Sequence, residues 1–235
     1  MPAVRPAGGG SLERELKYVV PAGRALLARG IVSALCRPDA HYPAATVFTV
    51  YYDTPGLELL SEKINSDYLK TKVRLRWYST PPLHGRTGTF LEIKSRVGRL
   101  RRKVRVETPL TVETLRAIEL DDPQLQAVLD LSRSLGVAVP ARLMPALLLR
   151  YERHRFVERF SGSRISVDTD VEALSGNPRL LGHTFRVRLP QAVVEAKGAE
   201  DALPRILDPL IQLGARRESF SKYAAAGLAM LRYTH

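Results

Sequence analysis

Cysteine is nearly absent. Cys36 stands alone in 235 residues, which excludes an internal disulfide and any cysteine-based zinc cluster. No run of 18 apolar residues occurs, so no transmembrane helix is expected. Neither a GxxxxGK(S/T) phosphate loop nor a GxGxxG fingerprint is present, which removes the P-loop and dinucleotide folds. The five histidines (His41, His84, His154, His183 and His235) are scattered, and each reads as structural or solvated rather than catalytic. Met1 to Ser11 has no apolar centre and no long basic stretch, so residues 1–11 are expected to be a disordered tail rather than a signal peptide. A cytoplasmic location is expected on these grounds.

Acidic residues are also outnumbered: 36 Lys and Arg stand against 24 Asp and Glu, for a net charge of +12. That excess predicts a polyanionic partner, and the placement of the cations narrows it. In Tyr68–Tyr78, Lys72, Arg74 and Arg76 alternate with Val73, Leu75 and Trp77. A strand sends successive side chains to opposite faces, so the cations share one face and the apolar groups the other. Same-face neighbours lie roughly 6.8 Å apart and repel by about 2 kcal/mol at an effective dielectric of about 20. One such strand is tolerable on a wet surface, whereas several facing each other call for a bound anion.

The alternation recurs. Glu13, Glu15 and Lys17 share a face, as do Glu92, Lys94 and Arg96, then Arg101, Lys103, Arg105 and Glu107. Arg164 with Asp168, Arg186 with Arg188, and Glu195 with Lys197 extend the series. Many cations with a minority of carboxylates suit a compact phosphate anion held from several sides, with the acids available to a divalent metal. Phe90, Phe185 and Trp77 are placed on the apolar faces, which argues against a nucleic-acid groove lined with stacking aromatics.

About nine strands are expected: 12–20, 46–54, 67–78, 89–96, 100–107, 147–160, 164–169, 183–189 and 192–196. The pair 89–96 and 100–107 forms a hairpin around Val97-Gly98-Arg99. Helices are expected after Pro21, with Ala25, Leu26, Ile31, Val32 and Leu35 as the apolar stripe, and over 57–66, 111–138 (broken near Pro123), 202–214 and 221–232. The segment 81–88, with two prolines and two glycines, is a loop. The expected class is α+β: a closed antiparallel β-barrel with flanking helices, formed by residues 12–235 as one domain, with a charged lumen.

Several blocks in this order resemble a known group. Glu13-Arg-Glu15-Leu-Lys17 resembles the ExExK opening of the triphosphate tunnel metalloenzymes, or CYTH-like superfamily. Tyr51-Tyr52-Asp53-Thr54, Lys72-Val-Arg74-Leu-Arg76-Trp-Tyr78, Leu91-Glu92-Ile-Lys94, Lys103-Val-Arg105, Tyr151-Glu-Arg153, Arg164-Ile-Ser-Val-Asp168, Val194-Glu195-Ala-Lys197 and Phe220-Ser221-Lys222-Tyr223 resemble its VTC, or polyphosphate polymerase, branch over about residues 12–232.

The resemblance implies a triphosphate-binding tunnel. Lys17, Arg74, Arg76, Lys94, Lys103, Arg153 and Lys222 would carry catalysis on the phosphates. Lys72, Arg105, Arg164, Lys197 and Ser221 would bind substrate. Glu195, with Glu13, Glu15 and Glu92 behind it, would hold Mn²⁺ or Mg²⁺. Ser219 stands where some members have a lysine, so one end of the anion path is expected to be less basic. The implied substrates are ATP and inorganic polyphosphate, with no nucleic acid and with room for a membrane-protein partner. Polymerase activity is the leading expectation. An inorganic triphosphatase, and a non-catalytic polyphosphate- or inositol-phosphate-binding module, stand beside it; adenylate cyclase activity is less favoured.

Overall fold

The computed structural model describes residues 14–65, 68–79, 88–98, 100–134, 136–182 and 185–232. The expected tail, Glu13, nearly all of the 81–88 loop, His84, His183, His235 and the side chain of Arg101 lie outside these residues.

Among the described residues the strands are β1 (Arg14–Pro21), β2 (Arg37–Pro38), β3 (Ala44–Asp53), β4 (Leu69–Tyr78), β5 (Phe90–Val97), β6 (Leu100–Glu107), β7 (Met144–Val157), β8 (Arg164–Gly176), β9 (Val187–Arg188), β10 (Gln191–Gly198) and β11 (Arg216–Arg217). They form one antiparallel sheet in the order β11-β1-β10-β8-β7-β3-β4-β5-β6, with β2 added to β7 and β9 to β8.

The closed barrel expected from the sequence is therefore corrected: the hydrogen-bonded path has two ends. Among the described residues no strand pairing joins β6 to β11 or β1. Charged side chains of both signs face one another across the seam: Lys94 and Lys103, near the β6 edge, feel Lys197 on β10, and Lys94 also feels Glu15 on β1. The sheet still curls, because side chains from both edges line one cavity.

The apolar faces pack as the alternation predicts. Val73, Leu75, Trp77, Leu91, Ile93 and Val106 join Val112, Leu115, Leu125 and Val128 from the short helices 112–116 and 123–127. On the other flank, Leu16, Tyr18, Ile165, Val167 and Val194 pack on Ala28 and Val32 of helix 25–35 and on Leu207 and Leu210. Leu26, expected in that stripe, is 70% exposed instead. Pro204 and Pro209 reduce the expected 202–214 helix to two short turns, 205–207 and 209–212.

Two further departures bear on the site. The expected strand 183–189 shrinks to Val187–Arg188, and Arg188 pairs with Asp170 outside the cavity, so Arg186 and Arg188 do not belong to the charged interior. Strand β8 also runs on to Gly176, past the expected end at Thr169. Asp170 adopts a left-handed φ of 50° where the β7–β8 register shifts. This bulge moves the alternation by one residue, so Val171 and Ala173 continue the face begun by Asp168. With Val47, Leu147 and Leu149 they form an apolar floor that seats Leu60 and the C-terminal helix 222–232 through Tyr223, Ala226 and Met230. Gly227 permits that approach, since a Cβ there would lie 3.2 Å from Leu60 Cδ2.

Candidate anion-binding cavity

Asp53 sets the position of the helix that completes the site. Fully buried at the end of β3, it accepts hydrogen bonds from the Leu59 and Leu60 N–H groups at 2.9 Å and from the Tyr223 hydroxyl at 2.5 Å. Helix 58–64 and helix 222–232 are thereby tied to one strand end, and Lys222 is aimed into the sheet.

The enclosed space measures about 1480 Å³, and seventeen basic side chains face only five acidic ones around it. Lys17, Lys72, Arg74, Arg76, Lys94, Lys103, Arg105, Arg153, Arg164, Lys197, Ser221 and Lys222 all line it, as do Glu15, Glu92 and Glu195. Strand alternation brings most of them together from seven strands distant in sequence, and Ser221 and Lys222 come from the start of helix 222–232.

One wall is ion-paired. Arg153 makes a two-pronged contact with buried Asp168, 2.6 Å on each arm, and reaches Glu195 at 3.2 Å. Lys222 lies 2.5 Å from Asp168 and 3.6 Å from Glu195. Lys17 lies 3.3 Å from Glu15 and 3.7 Å from Glu195, and donates to the Phe220 carbonyl at 3.2 Å. Lys197 is 3.5 Å from Glu15. Burial alone would raise the Glu195 pKa; Arg153, Lys222 and Lys17 instead hold it well below the usual carboxylate range. Glu15 is brought down to about 2, its burial outweighed chiefly by Lys197 and Lys17.

A second carboxylate organises the middle of the opposite wall. Glu92 receives Arg74 at 2.6 and 2.8 Å, Arg76 at 3.5 Å and Arg105 at 3.6 Å. Against its burial, Arg76 and Arg74 keep Glu92 well below its ordinary pKa. Arg76 also donates to the Tyr151 hydroxyl at 3.3 Å, while its Nε has no hydrogen-bond partner.

One register step away the pairing stops. Lys72, Lys94 and Lys103 stand directly opposite one another on β4, β5 and β6. Among the described residues no carboxylate lies within ion-pair distance of any of the three. Burial, reinforced by Lys17 and Arg74, lowers the Lys72 pKa well below its ordinary value. Burial with Arg74 nearby brings Lys94 down to about 8. Lys63, on helix 58–64, donates to Ser219 Oγ at 3.0 Å and faces Lys70 and Lys17. It restores positive charge at the end where Ser219 left the path less basic. Lys63 was not singled out in the sequence because it sits in a helix, outside the alternation. Tyr51, Tyr151 and Asp168 fell inside matched blocks without a role. Phe90 shares the face of Glu92 and lies beneath Arg105, 3.8 Å from the ring centroid, which corrects its placement on an apolar face.

A sequence model of the VTC domain matches residues 12–231. The chain belongs to the VTC domain family. No curated protein matches the sequence. Among solved structures, this VTC domain resembles the PH1819 protein of Pyrococcus horikoshii at 17% identity and a TM-score of 0.52, over 94% of this chain and 99% of that one. Lower TM-scores of 0.46 and 0.47 relate it to HpAC1 of Hippeastrum, a putative adenylyl cyclase with a dominant triphosphatase activity, and to a putative adenylate cyclase of Bacillus halodurans. Identities are 16% and 11%, over 95% and 90% of this chain and 96% and 93% of those. At these identities the likeness concerns the fold.

Mn²⁺ or Mg²⁺ is expected from the sequence. Among the described residues no three His, Cys, Asp or Glu side chains are grouped to hold one. Glu15 and Glu195 do converge, since both contact Lys17. Two carboxylates fit an ion that takes the rest of its oxygen shell from phosphate and water, as Mg²⁺ does at phosphate sites. Glu92 stands apart from this pair, enclosed by Arg74, Arg76 and Arg105. No helix among the described residues is long and apolar enough to cross a membrane.

Proposed function

We propose that this VTC domain transfers the γ-phosphoryl group of ATP to a polyphosphate chain inside the cavity. The observation that carries the reading is the contrast between its carboxylates and its lysines. Glu15, Glu92 and Glu195 are ion-paired with cations and held ionised at low pKa, which makes them weak proton acceptors. Hydrolysis benefits from a base that activates water, whereas a terminal phosphate is already an anionic nucleophile. Transfer to it requires positioning and charge neutralisation.

In this reading Arg74, Arg76, Arg153 and Lys222 bind the reacting phosphates. Lys17, Lys94 and Lys103 neutralise charge on the acceptor phosphates as they approach. Lys72, Arg105, Arg164, Lys197 and Ser221 hold the flanking phosphates in line. Glu195 and Glu15 would hold Mn²⁺ or Mg²⁺, which would supply charge neutralisation on the phosphates when bound. The unpaired lysine row offers a growing chain a continuous path.

The test is incubation of the purified protein with ATP and Mn²⁺ or Mg²⁺, with and without a short polyphosphate primer, following ADP, free phosphate and polymer together. Transfer predicts ADP matched by polymer-bound phosphate. Free phosphate matching ADP, with no polymer, would replace this reading with triphosphate hydrolysis. In the same assay Glu195→Gln should reduce turnover at least about tenfold while weakening anion binding less. Full metal-dependent turnover in that variant would remove Glu195 from the metal site.

A further inference from the structure

Phosphoryl transfer leaves one end of the cavity without a task. Away from the lysine row, Tyr42, Tyr78 and Arg155 gather on the cavity wall. The Arg155 guanidinium carbon lies 6.0 Å from the ring centroid of Tyr42 and 5.6 Å from that of Tyr78, so one flat cation serves two phenols. Its Nη1 donates to the Tyr42 carbonyl at 3.2 Å, and its backbone N–H donates to Pro43 at 2.8 Å. Asp39 accepts from the Tyr42 N–H at 2.8 Å and secures the same turn. Arg105, stacked over Phe90, belongs to this end as well: Tyr78 lies within the electrostatic reach of both Arg105 and Arg155. The Phe90 ring folds back over Gly88, where a Cβ would come within 2.6 Å of its tip.

A phosphate chain has no use for exposed π faces. Tyr42 is 51% exposed beside the cavity, and among the described residues no carboxylate pairs with Arg155. Aromatic rings and planar guanidinium groups are the surfaces on which a planar heterocycle stacks. The space also suffices. Pockets for a single small ligand run to roughly 300–1,000 Å³, and this one exceeds that range.

We propose that the end formed by Tyr42, Tyr78, Arg155, Phe90 and Arg105 binds the nucleobase of the donor nucleotide. This rests on the transfer reading above and gives the cavity a direction. The nucleoside lies at the aromatic end, the reacting phosphates lie between Arg74, Arg76 and Arg153, and the chain leaves along Lys94, Lys72 and Lys63. Recognition is by stacking, so one purine should substitute for another.

The test compares ATP with inorganic tripolyphosphate, which has the phosphates and no base, in titrations of the full chain with Mg²⁺. In Tyr42→Ala the Kd for ATP should rise about fivefold or more, the loss of one stacking surface, while the Kd for tripolyphosphate moves by less than about twofold. Phe90→Leu, which keeps apolar volume and removes the π face, should discriminate in the same direction. Equal losses for both ligands, or no loss for ATP in either variant, would overturn the base assignment and leave the transfer reading standing. Failure of the unaltered protein to bind either ligand would overturn the transfer reading, and the base site with it.

Discussion

Two walls of one cavity both carry many cations and treat them differently. Across β1 and β10 the facing residues alternate in sign: Lys17 stands opposite Glu195, and Glu15 opposite Lys197, although on the β8 side Lys197 faces Arg164. On β7 and β8 Arg153 stands opposite Asp168. Across β4, β5 and β6 the row Arg74, Glu92, Arg105 also alternates, but the adjoining row is Lys72, Lys94, Lys103. Opposite charges facing across strands stabilise a sheet, and like charges directly opposed destabilise it. The carboxylates of the paired wall thus orient Lys17, Arg153 and Lys222 before substrate arrives. The lysine wall is left short of counter-charge, and its electrostatic relief must come from a ligand. The difference separates a reacting centre that must be rigid from a path that must bind phosphate and release it.

Breaking the paired wall should have the largest effect. Asp168 is fully buried between Arg153 and Lys222, so Asp168→Ala leaves two buried cations to share Glu195 alone and should cost about 3–5 kcal/mol in chemical denaturation. Breaking the lysine wall should do the reverse. Lys72→Ala should leave the ligand-free protein as stable or more stable, by up to about 1 kcal/mol, while weakening tripolyphosphate binding about tenfold in titration calorimetry.

A pH series sharpens the contrast. Lys94 gives up its proton near pH 8 in the folded chain but near 10.5 when unfolded. Between those values the unfolded state binds more protons, so ligand-free stability gains from this group as pH rises. Anion affinity should move oppositely, falling from pH 7 to 9 as Lys94 loses its charge. In Lys94→Gln both slopes should flatten, measured by denaturation and by titration at each pH. The smallest effect is expected on the outer face. Arg150 contacts Glu152 and Glu172 while 38% exposed, so Arg150→Ala should cost no more than about 1 kcal/mol and leave tripolyphosphate affinity unaltered.

Much of this was legible in the sequence wherever alternation was unbroken. Lys72, Arg74 and Arg76 on β4, and Glu195 and Lys197 on β10, face the cavity because nothing interrupts the two-residue period. The bulge at Asp170 was invisible, since a left-handed aspartate leaves no pattern of its own, and it concealed the apolar floor beyond Thr169. Closure of the sheet was over-read: alternation reports which face a residue occupies, not whether two edges pair. The contact of Lys63 with Ser219 joins a helix to a distant loop and has no local signature. Tyr42 lay in a turn whose conformation is set by Arg155 and Asp39, so its place at the cavity's end depended on tertiary contacts.

The central claim is that the lysine row lacks counter-charge because it awaits phosphate. Thermal melting of the unaltered protein and of a Lys72→Ala, Lys94→Ala double variant, each with and without tripolyphosphate, tests this most directly. The account predicts that the double variant melts no lower than the unaltered protein without ligand and loses most of the ligand-induced rise. A double variant that melts several degrees lower without ligand and keeps the full rise would contradict it.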